Sequence, residues 1–286
     1  MARGSAGRSA LHRHLRVLDA FDALHPFRTL SQIAETAGLA PSTAHRLVAE
    51  LTAEGLLERL PDRTYRLGLR LWEYAARTPG ALGLREVARP WLHAAHARIR
   101  QHVQLGVLAG TDVLFVDRLS ARDAVVNATL IGGRIPLHAS ASGLVLLAHA
   151  DPALVGTLVA GGLRTYTAAT PRTAAELEPI LRRVRAEGVA DTVGFIHEDA
   201  RGLAVPVHGP DGTVYASLGA VVRADGGARH DVVETLRVAA AGVRRSLADT
   251  YAAGHAGEGP WHGPAPDAGV SAASWEYIAR LAGATG

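Results

Sequence analysis

The chain has 286 residues, and its 30 basic residues are all arginine, because the sequence contains neither lysine nor cysteine. These absences exclude a disulfide framework, cysteine-ligated zinc or iron–sulfur sites, a Schiff-base lysine and a P-loop lysine. The formal charge at pH 7 is only +3, so the isoelectric point of about 9.7 reflects the lack of groups that titrate between histidine and tyrosine.

The excess positive charge is confined to residues 1–77, which hold eleven arginines and eight acidic residues, whereas residues 78–286 hold nineteen of each. A basic end on a neutral body is expected where the chain meets a polyanion, although a solvated arm has the same composition. No apolar run reaches the length of about 18 residues that indicates a membrane span, and no apolar region follows the first arginines as in a secretory signal. We therefore expect a soluble, cytoplasmic protein with no membrane partner.

Two helices are predicted before residue 40. Apolar residues over 11–24 recur at three- and four-residue steps and predict an amphipathic helix that Pro26 ends. A shorter helix is predicted over about 30–37, with Ser31 as its N-cap and Gly38 as its stop.

A third helix, residues 41–54, repeats apolar residues at helical spacing and follows the second after only three residues, which is typical of a helix-turn-helix. Short hydroxyl side chains and an arginine on its free face suit a recognition helix that reads base edges. The residues predicted to contact DNA are Ser42, Thr43, His45 and Arg46 of this helix, with Ser31 and Gln32 of the preceding one. The alternative is a polar-faced packing unit, since helix pairs are common in proteins that never touch DNA.

A β-hairpin is predicted next, with strands at residues 56–60 and 64–68 around a Pro-Asp-Arg turn. A hairpin directly after a recognition helix indicates a wing. Arg63 at its tip and Arg66 on its return strand can reach phosphates or an adjacent minor groove, and Tyr65 completes the predicted DNA-contacting set.

The chain resembles the IclR family of bacterial transcriptional regulators in the run LSQIAETAGLAPSTAHRL at residues 30–47 and in YRLG at residues 65–68. One residue departs from the family pattern, because Ala37 replaces the threonine usually found before Gly38. The resemblance implies a regulator that binds a double-stranded DNA operator as a homodimer or as a dimer of dimers.

The remainder of the chain alternates strands and helices. The sequence predicts a linker helix at about 70–76 and a long helix at about 84–101. Further strands are predicted near 103–109, 113–119, 124–131, 189–196, 202–207 and 213–222, and further helices near 140–150, 152–160, 173–187 and 231–251. The pattern indicates an α+β fold: an N-terminal winged helix-turn-helix, then a domain built on an antiparallel sheet.

The resemblance continues in this second part, in GGRIPLHASASG at residues 132–143 and in AVPV at residues 204–207. It implies a GAF-like effector-binding domain that holds a small molecule against its sheet. Independently, a loop that enters a helix start offers free backbone N–H groups, and the hydroxyls of Ser140 or Ser142 can join them in receiving an anion. The alternative is a Gly/Ala-rich helix packed tightly on a sheet.

Four departures from the family bear on the ligand, and the first is Leu144, which replaces the family's usual lysine after Gly143. Gly202, Gly219 and Val221 stand where members that bind small organic acids often have a cysteine and paired serines. We therefore expect a roomier, less polar pocket and doubt a small oxo-acid. His197 and Glu198 either supply polar contacts or are surface loop residues. The predicted effector-binding set is His138, Ser140, Ala141, Ser142, Gly143, His197, Glu198, Gly202, Gly219 and Val221.

The predicted organisation has five parts: a flexible basic arm at 1–9, a winged helix-turn-helix domain at 10–68, a linker helix at 69–83, an effector-binding domain at 84–252, and a flexible tail with a short amphipathic segment at 253–286. No cofactor or metal is expected, because the closest histidine pairs lack carboxylates at ligand spacing.

The sequence thus predicts a ligand-responsive repressor that binds DNA and senses a small-molecule effector. The alternative is an enzyme, a hydrolase acting through Ser142 with His138 or His197, to which a winged helix is appended. No acidic residue stands at a recognisable third position, so we assign no catalytic residue.

Overall fold

The structure is a computed structural model that describes residues 10–22, 25–77, 81–122, 124, 125, 127, 129–225 and 229–252. The chain divides into two compact units, unit 1 up to Thr78 and unit 2 from Pro79 onward. Within the described ranges no helix is long and apolar enough to cross a membrane. The predicted basic arm at 1–9 and the predicted tail at 253–286 lie outside the described residues.

Unit 1 combines helices with a small antiparallel sheet. Its elements are α1 (Ala10–Leu18), β1 (Arg28–Thr29), α2 (Leu30–Thr36), α3 (Pro41–Ala53), β2 (Leu57–Arg59), β3 (Thr64–Leu67) and α4 (Leu69–Ala76). The strand order is β1-β3-β2, and the core includes Val17, Ile33, Leu47, Leu51 and Leu57. The predicted second and third helices, the hairpin and the helix after it are confirmed.

The first helix is shorter than predicted, because α1 ends at Leu18 and not near residue 24. Ala20 and Phe21 reach the core from the turn that follows the helix, and Leu11 and Leu15 are 66% and 44% exposed. The apolar spacing continues past Leu18, but Ala20 and Phe21 are buried by a change in chain direction and not by helix continuation; Leu24, the last residue of the predicted helix, lies outside the described residues.

The start of α2 also differs from the prediction. Its N-cap is Thr29: Thr29 Oγ1 accepts a hydrogen bond from the backbone N–H of Gln32, and Gln32 Oε1 accepts one from the backbone N–H of Thr29. This reciprocal pair is a capping box. Ser31, the predicted cap, is an exposed residue inside the helix. The two-residue strand β1, which pairs with β3, was not predicted because so short a segment has no periodicity.

Unit 2 has a six-stranded antiparallel sheet between two helical layers. Its elements are α5 (Ala81–Ile99), β4 (His102–Ala109), β5 (Asp112–Leu119), β6 (Arg134–Pro136), a 3₁₀ turn (Leu137–Ala139), α6 (Ala141–His149), α7 (Pro152–Ala160), α8 (Ala174–Glu187), β7 (Ala190–Val193), β8 (Ala200–His208), β9 (Val214–Arg223) and α9 (Arg229–Ala252). The strand order is β6-β5-β4-β9-β8-β7. The predicted α+β class and antiparallel sheet are confirmed.

Each face of the sheet has its own apolar cluster. The first face packs on α5 and α9 through residues such as Leu92, Leu105, Leu203, Leu218 and Leu236. The opposite face packs on the 3₁₀ turn, α6 and α8 through residues such as Phe115, Leu137, Leu144, Leu177 and Leu181. Because successive side chains of a strand point to opposite faces of the sheet, β4, β8 and β9 contribute side chains to both clusters.

The predicted strand at 124–131 is wrong. None of the described residues of this segment pairs in the sheet, and β6, which was not predicted as a strand, takes the edge position beside β5. Side chains replace the missing strand ladder: the backbone N–H of Val125 donates to Gln101 Oε1, and that of Thr129 donates to Asn127 Oδ1. These two backbone N–H groups are thereby satisfied without a strand partner.

Helix α6 lies unusually close to the 3₁₀ turn before it, and Gly143 permits this approach. A Cβ at Gly143 would stand 2.3 Å from the carbonyl oxygen of Leu137 and 2.6 Å from its Cα. Backbone atoms cannot rotate away as a side chain can, so any larger residue must push the helix off the turn.

We predict that Gly143→Ala lowers the free energy of unfolding by about 2 kcal/mol, because the added methyl overpacks a backbone contact. The matched control is Gly156→Ala in α7, where a Cβ would meet no atom within 4 Å. That variant should be neutral or stabilised by up to about 1 kcal/mol through reduced backbone entropy. Urea denaturation of both variants tests the difference, and equal midpoints would contradict it.

Candidate functional site

The free face of α3 carries the residues predicted to read DNA. Ser42, His45 and Arg46 are exposed, and Thr43 is partly exposed. The N-cap residue Ala40 makes no side-chain capping bond, so the N–H groups of the first turn remain open for an acceptor. A helix start of this kind binds phosphate oxygens well.

Arg46 is held in place by Glu50, which is itself hydrogen-bonded to His14. Its Nη1 donates to Glu50 Oε1, one helical turn further along α3, and Glu50 Oε2 accepts from His14 Nε2 of α1 at 2.7 Å. The hydrogen bonds from His14 and Arg46 lower the pKa of the Glu50 carboxyl. His14 was assigned no role from the sequence, because its partner lies 36 residues away in the chain.

The wing presents one arginine at its tip and a second in an ion pair. Arg63 is exposed in the turn, with a φ of 66°, and the Asp62 carboxylate beside it accepts hydrogen bonds from Thr64. Arg66 binds Glu58 across the strands at 2.8 Å. Tyr65 is half-buried against the core of unit 1, so its ring supports the wing.

Arg16 and Gln32, two other polar residues of unit 1, form hydrogen bonds that stabilise its fold. Arg16 of α1 donates to the carbonyl oxygens of Ala37 and Gly38 and closes the turn between α2 and α3. The side-chain oxygen of Gln32, a predicted DNA contact, is engaged in the capping box. Ser31 is exposed on the same helix.

Unit 2 contains a pocket between the start of α6 and strands β4, β8 and β9, with about 500 Å³ of empty space including its open mouth. The pocket is lined by Gln104, Asn127, Thr129, Ile135, Ala139, Ser140, Ala141, Ser142, Thr192, Phe195, Ile196, His197, Ala200, Gly202, Leu203, Ala220 and Val221. Among the residues that the structure describes, His197 is the only titratable side chain in this lining, which includes no arginine and no carboxylate.

Two sheet glycines allow α6 to approach the floor of the pocket. A Cβ at Gly219 would lie 2.7 Å from Ser142 Oγ, and a Cβ at Gly202 would lie 2.7 Å from Thr192 Oγ1 and 3.3 Å from the Cβ of Ala141. The space that these glycines leave is therefore filled by α6 and β7. The expectation of a roomier pocket at these two positions is wrong.

The first turn of α6 supplies the polar end of the pocket. Ser140 is the N-cap, and its Oγ accepts the N–H of Gly143 at 3.1 Å. Ser142 is 1% exposed, and its Oγ has no hydrogen-bond partner within the described part of the chain. A buried hydroxyl of this kind is costly unless a ligand or water completes it.

His138 lies outside the pocket. It is buried in the 3₁₀ turn, its Nε2 donates to the carbonyl oxygen of Arg164 at 2.9 Å, and burial lowers its pKa. Ser142 and His138, one of the two pairs considered in the hydrolase alternative, are therefore not hydrogen-bonded to each other. His138 instead fastens the loop after α7 to the start of α6.

The pocket wall that faces the start of α6 is formed by residues that were not predicted from the sequence. Gln104 of β4 accepts hydrogen bonds from Asn127 Nδ2 at 3.2 Å and Thr129 Oγ1 at 2.6 Å, and all three residues are buried. The available signal was a glutamine inside the apolar run of a central strand. Nothing in the sequence indicated that the segment containing Asn127 packs against it.

A loop after β7 forms the apolar side of the mouth. Phe195 and Ile196 line the pocket, and the hydroxyls of Thr167 and Thr170 hold this loop by donating to the carbonyl oxygens of Gly194 and Phe195 at 2.5 Å. His197 lines the pocket, whereas Glu198 is exposed outside it.

Six members of the predicted effector set therefore line one pocket: Ser140, Ala141, Ser142, His197, Gly202 and Val221. Gly219 lies just beneath Ser142, and Gly143 packs on Leu137 behind the lining. His138 and Glu198 are not brought to it.

Comparison with known proteins gives a consistent result for both units. Residues 10–61 match the family described as the IclR helix-turn-helix domain, and residues 77–245 match the bacterial transcriptional regulator IclR C-terminal family. The chain is 31% identical over 213 residues to the HTH-type transcriptional regulator XynR of Escherichia coli (strain K12), covering 73% of this chain and 84% of that protein. It is 32% identical over 224 residues to the glycerol operon regulatory protein of Streptomyces griseus, covering 76% and 88%.

A solved structure is also similar. The crystal structure of an IclR homolog from Microbacterium hydrocarbonoxydans, complexed with 4-hydroxybenzoate, superposes with a TM-score of 0.80 at 40% identity. The match covers 84% of this chain and all of that one.

A pH-sensitive contact lies outside the pocket lining, between the start of β4 and the segment that leads to Asn127. His102 is 5% exposed, its Nε2 donates to the carbonyl oxygen of Val125, and its Nδ1 lies 3.0 Å from Ser120 Oγ. Burial lowers the pKa of His102 from 6.5 to about 4. The folded state thus favours the neutral ring, and the resulting stability is fully present above pH 6.5 and is lost as the pH falls toward 4.

We predict that His102→Gln flattens the dependence of unfolding free energy on pH. Between pH 7.5 and 5.0 the lowered pKa accounts for up to about 2 kcal/mol of lost stability in the unmodified protein. Urea denaturation at both pH values measures this loss, with His93→Gln on the exposed face of α5 as the control. If all three proteins lose equal stability, His102 is not the titrating group.

Proposed function

The chain belongs to the IclR family of bacterial transcriptional regulators, and we propose that it is a repressor that binds its operator as a dimer and responds to an aromatic carboxylate. The observation that carries the ligand part is the pocket at the start of α6, which combines unpaired hydrogen-bond donors with apolar walls. As a regulator of transcription it acts in the cytoplasm, as a sensor and not as an enzyme.

The exposed surface of α3 and the tip of the wing support the proposed DNA contacts. Arg46 can bind guanine O6 and N7 bidentately, and the open N–H groups at the start of α3 can bind a backbone phosphate. Arg63 at the wing tip adds a phosphate or minor-groove contact, and Arg66 can exchange Glu58 for a phosphate. The proposed set also includes Ser31, Gln32, Ser42, Thr43, His45 and Tyr65.

Exposed apolar side chains support self-association of unit 1. Leu11 of α1 and Leu69 and Trp72 of α4 are 66%, 72% and 66% exposed. Leu69 and Trp72 lie three residues apart on α4 and so share one face of that helix, and an exposed apolar face marks an interaction surface. A dimer presents two recognition helices, so we expect two related half-sites in the operator, and pairing of dimers gives a tetramer.

An aromatic carboxylate fits the chemistry of the pocket. Its carboxylate can accept hydrogen bonds from the first-turn N–H groups of α6 and from the Ser140 and Ser142 hydroxyls, as anions do at helix starts. Its ring can contact Ile135, Phe195 and Val221. The similar protein from Microbacterium hydrocarbonoxydans was crystallised with 4-hydroxybenzoate, which makes this compound the first ligand to test.

For DNA binding, we predict that Arg46→Ala weakens specific operator binding by about tenfold to a hundredfold, because a bidentate contact to guanine is lost. DNase footprinting and fluorescence anisotropy on the DNA upstream of its own gene measure this loss. Arg182→Ala in α8 removes the same charge from an exposed helix of unit 2 and should bind like the unmodified protein. Binding should also fall steeply as salt increases. A footprint without sequence preference, or equal loss in both variants, would overturn the proposal.

For ligand binding, we predict that Ser142→Ala weakens 4-hydroxybenzoate binding about tenfold, because a hydroxyl donor to the carboxylate is removed. Isothermal titration calorimetry measures the affinity, and the operator assay measures the ligand response. Ser246→Ala, on α9 behind the sheet, is the control. The Ser142→Ala protein should still bind DNA and lose only its response. Turnover of an ester or amide that disappears in this variant would instead support the enzyme alternative.

A further inference from the structure

Gln104 projects into the pocket from the sheet. It lies opposite Gly219 of β9 in the strand register, and directly opposite residues of an antiparallel pair share one face of the sheet. Because Gly219 has no side chain and Ser142 Oγ lies over it, the Gln104 amide and the Ser142 hydroxyl approach the same part of the pocket. Gln104 is 4% exposed, so its amide has little contact with bulk solvent.

The orientation of the Gln104 amide is fixed by a chain of hydrogen bonds. A backbone N–H can only donate, so the bond from Thr129 N at 3.0 Å identifies the acceptor on Asn127 as its oxygen. Asn127 must then present its nitrogen to Gln104, and Gln104 must receive it with its oxygen. This leaves the Gln104 nitrogen, with two N–H donors, facing away from the Asn127 and Thr129 side chains.

Several polar side chains of the described pocket lining are already hydrogen-bonded within the protein. Both the nitrogen and the oxygen of the Asn127 side-chain amide are already hydrogen-bonded. The hydroxyl of Thr192 donates to the carbonyl oxygen of Gly202. His197 Nδ1 accepts the backbone N–H of Asp199, which places the proton on Nε2. The Gln104 amide nitrogen and His197 Nε2 can then only donate, and the Ser142 hydroxyl can donate as well, so oxygen acceptors on a ligand satisfy all three groups.

We infer that Gln104 is a specificity-determining residue whose amide nitrogen donates a hydrogen bond to an oxygen of the ligand, with Asn127 as the positioning residue that keeps the nitrogen turned toward the pocket. The inference rests on the proposed ligand-binding function of this pocket. It adds a second donor group on the sheet, separate from the start of α6.

Gln104→Glu is the sharpest variant, because glutamate keeps the length of the side chain and an oxygen for Asn127 and Thr129 but presents an acceptor to the pocket. Calorimetry with 4-hydroxybenzoate should show affinity reduced more than tenfold. Gln104→Met removes the donor without adding charge and should reduce affinity about tenfold. Both proteins should retain operator binding, which shows that they are folded.

Asn127→Ala tests the positioning role. Without Asn127 the amide can flip, so we expect a twofold to fivefold loss of affinity. In the Gln104→Met background the same substitution should cause no further loss, because no amide remains to be oriented. Gln101→Met is the matched control: Gln101 also holds the 124–131 segment, through Val125, but it does not line the pocket, and its loss should leave affinity unchanged.

Two outcomes separate this inference from the proposed function. If Ser142→Ala weakens binding while both Gln104 variants bind within twofold of the unmodified protein, the inference is wrong and the proposed function stands. If the unmodified protein binds neither 4-hydroxybenzoate nor any other aromatic carboxylate, both are overturned. Equal losses in Gln101→Met and Asn127→Ala would reduce Asn127 to a structural support and overturn its positioning role.

Discussion

The contact of the first turn of α6 with the sheet and with the 3₁₀ turn is the constraint on which unit 2 depends. Three glycines permit it, because a Cβ at Gly143, Gly202 or Gly219 would stand within 2.7 Å of a neighbouring atom. The contact places the helix start, with its open N–H groups, directly over strands β8 and β9. It also buries Ser142 Oγ without a partner among the described residues. The same close packing therefore creates the polar end of the pocket and restricts its size.

The described lining of the pocket is polar but includes no arginine and no carboxylate. An arginine there would bind any small anion strongly, and a buried unpaired charge would destabilise the fold in the absence of ligand. Neutral donors on rigid elements avoid this cost, since the first turn of α6 and the amide of Gln104 are each held by hydrogen bonds to the protein. Affinity then depends on the positions of the donors and on apolar contact with the ligand, so selectivity arises from shape and hydrogen bonding.

Local patterns predicted most of the fold but only one side of the site. Helix α7 was predicted with its observed bounds, residues 152–160, because a Pro and an Asp mark its start. The strand at 124–131 was wrong, because its backbone bonds to side chains that are distant in sequence, and periodicity does not report such contacts. Ser140 and Ser142 could be identified from the sequence because they lie on one continuous motif. Gln104, Asn127 and Thr129 could not, because they come together only in the tertiary fold.

Charge placement in unit 1 is better described by ion pairs than by the number of arginines. Arg46, Arg66 and Arg70 each bind a glutamate at 2.5 to 2.8 Å, and all three pairs are exposed. Exposed pairs contribute only about 0 to 1 kcal/mol, so a DNA phosphate can replace the glutamate at little cost. The glutamates also hold the arginines in defined positions in the absence of DNA. The excess of three positive charges in residues 1–77, and not the eleven arginines themselves, then sets the long-range attraction to DNA.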